Sequence, residues 1–260
     1  MKQIVIVTDC CDVAYNEIRA SIITELGKNN KDFQIEPVVK VKERSVLNCA
    51  FLIRLLAESY PAGTTFMVLC SPTKEKPSRI YGITKKKKLR FFGTNNGVLS
   101  WFLKDFETQK IYEMKNRKDA EYLPFGGKND YAPRIAKLAR SKKIRLNKKD
   151  KKIESHQIKK ITIPKGIIVH IDNFGLCKIN LRPPKAKAGQ KFMIRVNNKS
   201  FFAYFCKRMM SLPDKTIAIY PGSSMNLLEL GGVRMDLTKK INLKIGDIVN
   251  IKKYENSNKH

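Results

Sequence analysis

The chain lacks the spacing of a zinc site: it has no Cys-x-x-Cys pair and no histidine placed to complete one with its six cysteines. No window approaches about 18 unbroken apolar residues, so no membrane-spanning helix is expected. The opening "MKQIVIVTD" is too short an apolar run for a signal h-region. These absences lead to the expectation of a cytoplasmic protein without a membrane segment, with Cys10, Cys11, Cys49, Cys70, Cys177 and Cys206 reduced and mostly in the core. No internal repeat is present. Carboxylates are also scarce, 23 Asp and Glu against 52 Lys and Arg, giving a formal charge of +29. Such a charge sets up a positive field that attracts nucleic acid, anionic membranes or anionic ligands. The lysines are scattered as well as clustered, at Lys85 to Lys88 and between Lys137 and Lys160, and the scatter fits a general lysine bias better than a dedicated binding face.

A length of 260 residues and a hydrophobic content of 42% suffice for a proper core and for two modest domains. "QIVIVTD" reads as a buried strand, and "DVAYNEIRASIITELGKN" as a helix with Ile18, Ile22 and Leu26 on one face and Asp12 as its N-cap. "FQIEPVV", "TTFMVLC" and "KLRFFG" read as further strands. "SVLNCAFLIRLLAESY", capped by Ser45, "NGVLSWFLKDF" and "YAPRIAKLAR" read as helices. Strands alternating with helices predict an N-terminal α/β domain over 1–140 with a mainly parallel sheet. The charged stretch "SKKIRLNKKDKKIESHQIKK" is expected to be a basic linker over 141–160. No aromatic residues interleave with its lysines, so it reads as a solvated linker rather than an arm that stacks bases. Beyond it "GIIVHID", "QKFMIRVN", "SFFAYFC", "KTIAIYP" and "DIVNIKK" recur between turn signals, which predicts a smaller all-β sandwich or barrel over 161–256.

In an open parallel sheet, ligands bind outside the carboxyl ends of the strands. Asp9, directly after "IVIVT", is placed to accept hydrogen bonds from a pair of hydroxyls, or merely to cap the following helix. In "GTNNGVLSW", Asn96 lies in a turn entering a helix, and that pattern is also an ordinary turn. In "IVHIDNFG", Asp172 suits an ammonium group and Phe174 a purine face, while a turn aspartate and a core phenylalanine are the plain alternatives.

Together these stretches resemble the S-adenosylmethionine hydroxide adenosyltransferases, a family that includes the fluorinating and chlorinating adenosyl-halide synthases. "VTDCCDVAYNEIRASI" resembles the family's Thr-Asp-Phe-Gly opening, and "PAGTTFMVLCSP" its third-strand segment. "FFGTNNGVLSWF" is similar to Pro-Asp-Asn-Gly-Leu-Leu, and "FGGKNDYAPRIAKLA" to His-Gly-Arg-Asp-Ile-Phe-Ala-Pro. "IDNFGLCKIN" resembles Ile-Asp-x-Phe-Gly-Asn-x-x-Thr-Asn, and "SSMNLLEL" resembles Ser-x-Gly-x-Leu-Glu.

The resemblance covers nearly the whole chain and implies a homotrimer. It implies S-adenosylmethionine or adenosine as ligand, with no other cofactor and no metal. By motif position it also implies that Asp9 grips the ribose diol, Asn96 lines the pocket, Asp172 holds the methionine ammonium, Phe174 meets the adenine and Ser224 contacts the carboxylate region. The expected reaction is cleavage of the C5′–S bond, releasing L-methionine and adenosine or a 5′-substituted adenosine.

The chain departs from the pattern where the family handles its nucleophile. Ser71 stands where the water-using branch has Asp, Gly126 where it has His and Lys128 where it has Arg, which leaves Arg79 as the remaining member of that set; Arg79 and Ser71 are the catalytic candidates. Leu176 replaces an Asn, and Asn226 replaces the glycine near Ser224. An adenosyltransferase or hydrolase is the leading expectation. A catalytically degenerate protein that binds S-adenosylmethionine or adenosine is the alternative, and a basic RNA-associated protein, supported by charge alone, is the third.

Overall fold

The computed structural model describes residues 1–70, 78–115 and 124–254, in two compact units divided after Ile161. In the first unit the chain runs through β1 (Lys2–Thr8), α1 (Val13–Leu26), β2 (Phe33–Ile35), β3 (Val39–Lys40), α2 (Val46–Ser59) and β4 (Thr65–Leu69). It continues through β5 (Arg79–Thr84), β6 (Arg90–Thr94), α3 (Ser100–Phe106), β7 (Thr108–Glu113), α4 (Ala132–Arg140) and β8 (Lys151–Ile153). The sheet order is β2-β1-β4-β6-β5-β7-β8, with β3 also on β1. The strands from β2 to β6 are parallel; β5, β7 and β8 extend the sheet antiparallel.

Local signals explain the parallel half. Ile4 to Val7 are fully buried, as expected of a strand flanked on both sides. Asp12 caps α1 by accepting the Ala14 N–H at 2.9 Å, and Ile18, Ile22 and Leu26 turn inward at helical spacing. Ser45 caps α2 through the Asn48 N–H at 3.2 Å.

The basic segment 141–160 is not a linker; it belongs to the first unit. Ile144 and Leu146 pack on the core, β8 pairs with β7, and Ile153 is buried. Its anchor is Asp150, 1% exposed, which accepts hydrogen bonds from the Tyr81 hydroxyl at 2.6 Å, the Lys115 N–H at 3.1 Å and the Asn147 N–H at 3.0 Å. Lysine-rich surroundings hid this carboxylate, whose partners lie far away in sequence.

The second unit contains β9 (Ile168–Ile171), β10 (Cys177–Ile179), β11 (Lys191–Val196), β12 (Lys199–Phe205), β13 (Ile217–Pro221), β14 (Leu228–Gly232), a short α5 (Leu237–Ile241) and β15 (Val249–Lys253). Their order is β15-β11-β12-β13-β14-β10-β9, antiparallel except where β12 meets β13. An Ile167–Ile248 bridge and the Ile168 N–H to Asp247 carbonyl bond join the two edge strands, so the sheet curls into a closed barrel. Its interior is filled by Ile168, Cys177, Ile194, Ile219, Leu230 and their neighbours.

Candidate functional site

The register of the first sheet collects several polar residues at one edge. Thr8 pairs with Leu69, Val68 with Gly93, and Thr94 with Arg79, so the ends of β1, β4 and β6 and the start of the antiparallel β5 lie side by side. Asp9, Asn95, Asn96 and the Arg79 side chain therefore belong to the carboxyl edge of the parallel strands, where open α/β sheets bind ligands. A cleft of about 410 Å³ lined by Lys85, Glu107 and Lys152 lies by Thr108, which pairs with Thr84 at the far end of the same strands. It has no place among these residues.

Asp9 does not cap α1, because Asp12 performs that task. Its Oδ2 instead accepts the Arg44 backbone N–H at 3.1 Å. That N–H is positioned from α2: the buried Asn48 accepts the Lys42 N–H at 2.9 Å through Oδ1, and Ser45 closes the first helical turn. Asn48 carried no signal in the sequence beyond a polar residue inside an apolar helix. Close by, the Cys49 thiol has its pKa raised well above the ordinary value, by its hydrogen bond with Cys70 first and by burial second. Cys10 and Cys11 are only partly buried, unlike the core thiols Cys49, Cys70, Cys177 and Cys206.

Asn96 is buried in the turn after β6, and its Oδ1 accepts the Val98 N–H at 3.3 Å. Gly97 follows with φ +105°, and a Cβ there would lie 2.3 Å from Ile161 Cγ2. Glycine is required at that position on both counts. Asn95 fixes the incoming chain, accepting the Lys159 N–H at 2.8 Å and donating to the Gln157 carbonyl at 3.1 Å.

The Arg79 guanidinium lies 4.5 Å from the centre of the Tyr131 ring. Burial lowers its pKa, Asp130 opposes that shift, and Arg134 adds to it. Asp130, 6% exposed, accepts the Arg134 Nε–H at 2.8 Å. It sits in a single π-helical turn, Gly127–Tyr131, that leads into α4. Sequence reasoning passed over Asp130 because it stands where the resembling motif has an apolar residue. Gly126 presents no side chain. Lys128 forms an ion pair with Glu17 at 2.7 Å, and both residues are substantially exposed. Ser71 lies outside the described residues.

In the second unit Asp172 follows β9. Its Oδ1 accepts the N–H groups of Phe174 and Leu176, both at 2.9 Å, which leaves Oδ2 without a hydrogen bond among the described residues. Phe174 is not a core residue; it is 70% exposed. Ser224 begins a turn in which Met225 and Asn226 have φ of +53° and +51°. Asparagine tolerates this left-handed geometry, which accounts for its standing in for glycine there. Arg182 pins the turn by donating to the carbonyls of Met225 at 2.6 Å and Asn226 at 3.1 Å.

On the outer face of the barrel, His170, Lys178, Glu229 and Tyr220 form a cross-strand row. Lys178 and Glu229 are a buried ion pair. Burial lowers the His170 pKa, with Lys178 lowering it further and Asp172 and Glu229 opposing. Among the described residues no three His, Cys, Asp or Glu side chains gather as metal ligands, and no helix is long and apolar enough to cross a membrane.

Two solved structures share this architecture. An uncharacterized conserved protein from Thermotoga maritima superposes with a TM-score of 0.80 at 20% identity, over 96% of this chain and 100% of the other. A conserved hypothetical protein from Thermus thermophilus gives 0.74 at 16% identity, over 97% and 100%. These identities establish the fold alone. No curated protein matches the chain. Residues 4–147 match the SAM hydroxide adenosyltransferase N-terminal domain.

Proposed function

Because the chain belongs to the S-adenosylmethionine hydroxide adenosyltransferase family, we propose that it binds S-adenosylmethionine and cleaves its C5′–S bond. Asp9 grips the ribose diol, Asn96 lines the pocket, Asp172 holds the ammonium through Oδ2, Phe174 covers the adenine and Ser224 meets the methionine carboxylate. The observation that carries this reading is the carboxylate of Asp9: it stands at the ligand-binding edge of the sheet, held by a backbone N–H from a buttressed loop and relieved of helix capping.

The chemistry is an in-line substitution. A water oxygen or a small anion bonds to C5′ as the C5′–S electron pair returns to sulfur. Methionine departs as a neutral thioether, and water as nucleophile also gives up a proton. The sulfonium already activates the carbon, so the protein contributes alignment and exclusion of solvent. Arg79, partly buried and backed by Tyr131 and Asp130, steadies the nucleophile, and Ser71 is assigned to the same role. With Gly126 in place of a base, general-base assistance worth roughly a hundredfold or more is forgone. The reading includes assembly as a homotrimer.

Incubation with S-adenosylmethionine, with and without chloride, followed by chromatography and mass spectrometry of the nucleosides, tests the proposal. Adenosine or a 5′-halogenated adenosine is the expected product. Intact ligand together with calorimetric binding would favour a second reading, a protein that senses S-adenosylmethionine or adenosine without turnover, for which the bare Gly126 position is the specific support.

A further inference from the structure

The outer face of β11, β12 and β15 carries a pattern that the adenosyl site does not use. Interior positions of these strands are apolar: Phe192, Ile194, Val196, Ala203, Phe205 and Val249 all point into the barrel. The alternate positions point outward, and the register places Lys191 beside Tyr204 on one side and Tyr254 on the other, with Phe202 and Lys252 in the next row and Arg195 beyond. No outward position on these three strands is an Asp or Glu.

The rings are accessible, Tyr204 36% and Tyr254 39% exposed. Tyr254 is also braced. Lys191 Nζ lies 3.8 Å from the Phe202 ring centre and 5.0 Å from that of Tyr254, and the two rings meet edge to face at 4.9 Å. Tyr204 and Tyr254 stand two strand spacings apart, about 10 Å.

Aromatic rings interleaved with cations, on strands whose outward positions carry no carboxylate, suit a polyanion that presents flat π surfaces. A free phosphate or an anionic lipid surface supplies the charge but nothing to stack. We propose that this face binds single-stranded nucleic acid: Tyr204 and Tyr254 stack bases while Lys191, Arg195 and Lys252 meet the phosphates. The net charge of +29 drives encounter, and the rings give the encounter a place. This inference stands apart from the reading of the adenosyl site.

Fluorescence anisotropy of labelled oligouridine and oligodeoxythymidine, each about ten nucleotides, measured on the full chain across a salt series, tests it. The expected result is binding that the Tyr204→Ala/Tyr254→Ala variant weakens by roughly tenfold or more at fixed salt. The Tyr204→Phe/Tyr254→Phe variant retains it. Arg195→Ala and Lys252→Ala each reduce the salt slope by roughly 0.7. Binding of both oligomers assigns the shared chemistry, and binding of oligouridine alone assigns RNA. Undiminished binding by the alanine pair would overturn the proposal in favour of a diffuse field. A lower assembly mass for that pair in sedimentation would overturn it in favour of a contact between copies of the chain.

Discussion

Tyr81 and Asp150, 69 positions apart, meet through a 2.6 Å hydrogen bond inside the first unit. Asp150→Ala leaves the Tyr81 hydroxyl and the N–H groups of Lys115 and Asn147 without their acceptor. A loss of about 3 kcal/mol is expected in urea denaturation, since buried donors to a charged group are costly to strand. Tyr81→Phe removes one donor to Asp150 and the acceptor of the Leu146 N–H, and is expected to lose about half as much. Equal stability of the Asp150→Ala variant and the parent would mean that the basic segment is not anchored there.

Asp9→Ala is expected to abolish the heat of S-adenosylmethionine binding in titration calorimetry. Asn48→Ala frees the Lys42 N–H and loosens the loop that presents the Arg44 N–H. A weakening of roughly tenfold, smaller than that of Asp9→Ala, is expected, the equivalent of about 1.4 kcal/mol. Unchanged binding by the Asp9 variant would remove the ribose assignment.

Arg79→Ala is expected to retain binding while lowering product formation by about a hundredfold, as for a group that acts on the nucleophile alone. Asp130→Asn, which weakens the charge partner of Arg79 and Arg134, is expected to lower turnover less and to reduce thermal stability. Loss of binding by Arg79→Ala with no separate effect on turnover would instead place Arg79 on the substrate.

The second unit is expected to lose stability in acid through His170. Its folded pKa is depressed, chiefly by burial and then by Lys178, while Asp172 and Glu229 pull the other way. The unfolded chain therefore binds the proton more readily. Stability is fully present above the ordinary imidazole value of about 6.5 and falls as pH drops from there toward the folded pKa. Denaturation midpoints of His170→Gln and the parent across this window should converge at the acid end, and parallel curves would assign the acid sensitivity elsewhere.

The first parallel strands and their helices were legible because their signals are local: Asp12 and Ser45 cap the helices they precede, and Ile18, Ile22 and Leu26 repeat at helical spacing. Five strands of the second unit stood out between turn residues for the same reason. β5, β7 and β8 did not, since an antiparallel extension made of "RIYGIT", "TQKIYE" and "KKI" has little apolar content of its own and depends on neighbours. Asp9 and Asp172 were singled out by position after a strand, and the structure places each just past one. Asp130 and Asn48 were not, because their importance rests on partners brought near only by folding.

The bridge between Ile167 and Ile248 gives the barrel a consequence for its birth. The contact that completes the ring joins its opening strand to its last, so on the ribosome the ring stays unsealed until β15 emerges. During that interval both flanks offer unpaired backbone to any passing strand. The open flank of β11 is the native partner of β15, so a β15 from another copy of the chain fits it in the same register, and the unsealed interval is when two copies can exchange this strand.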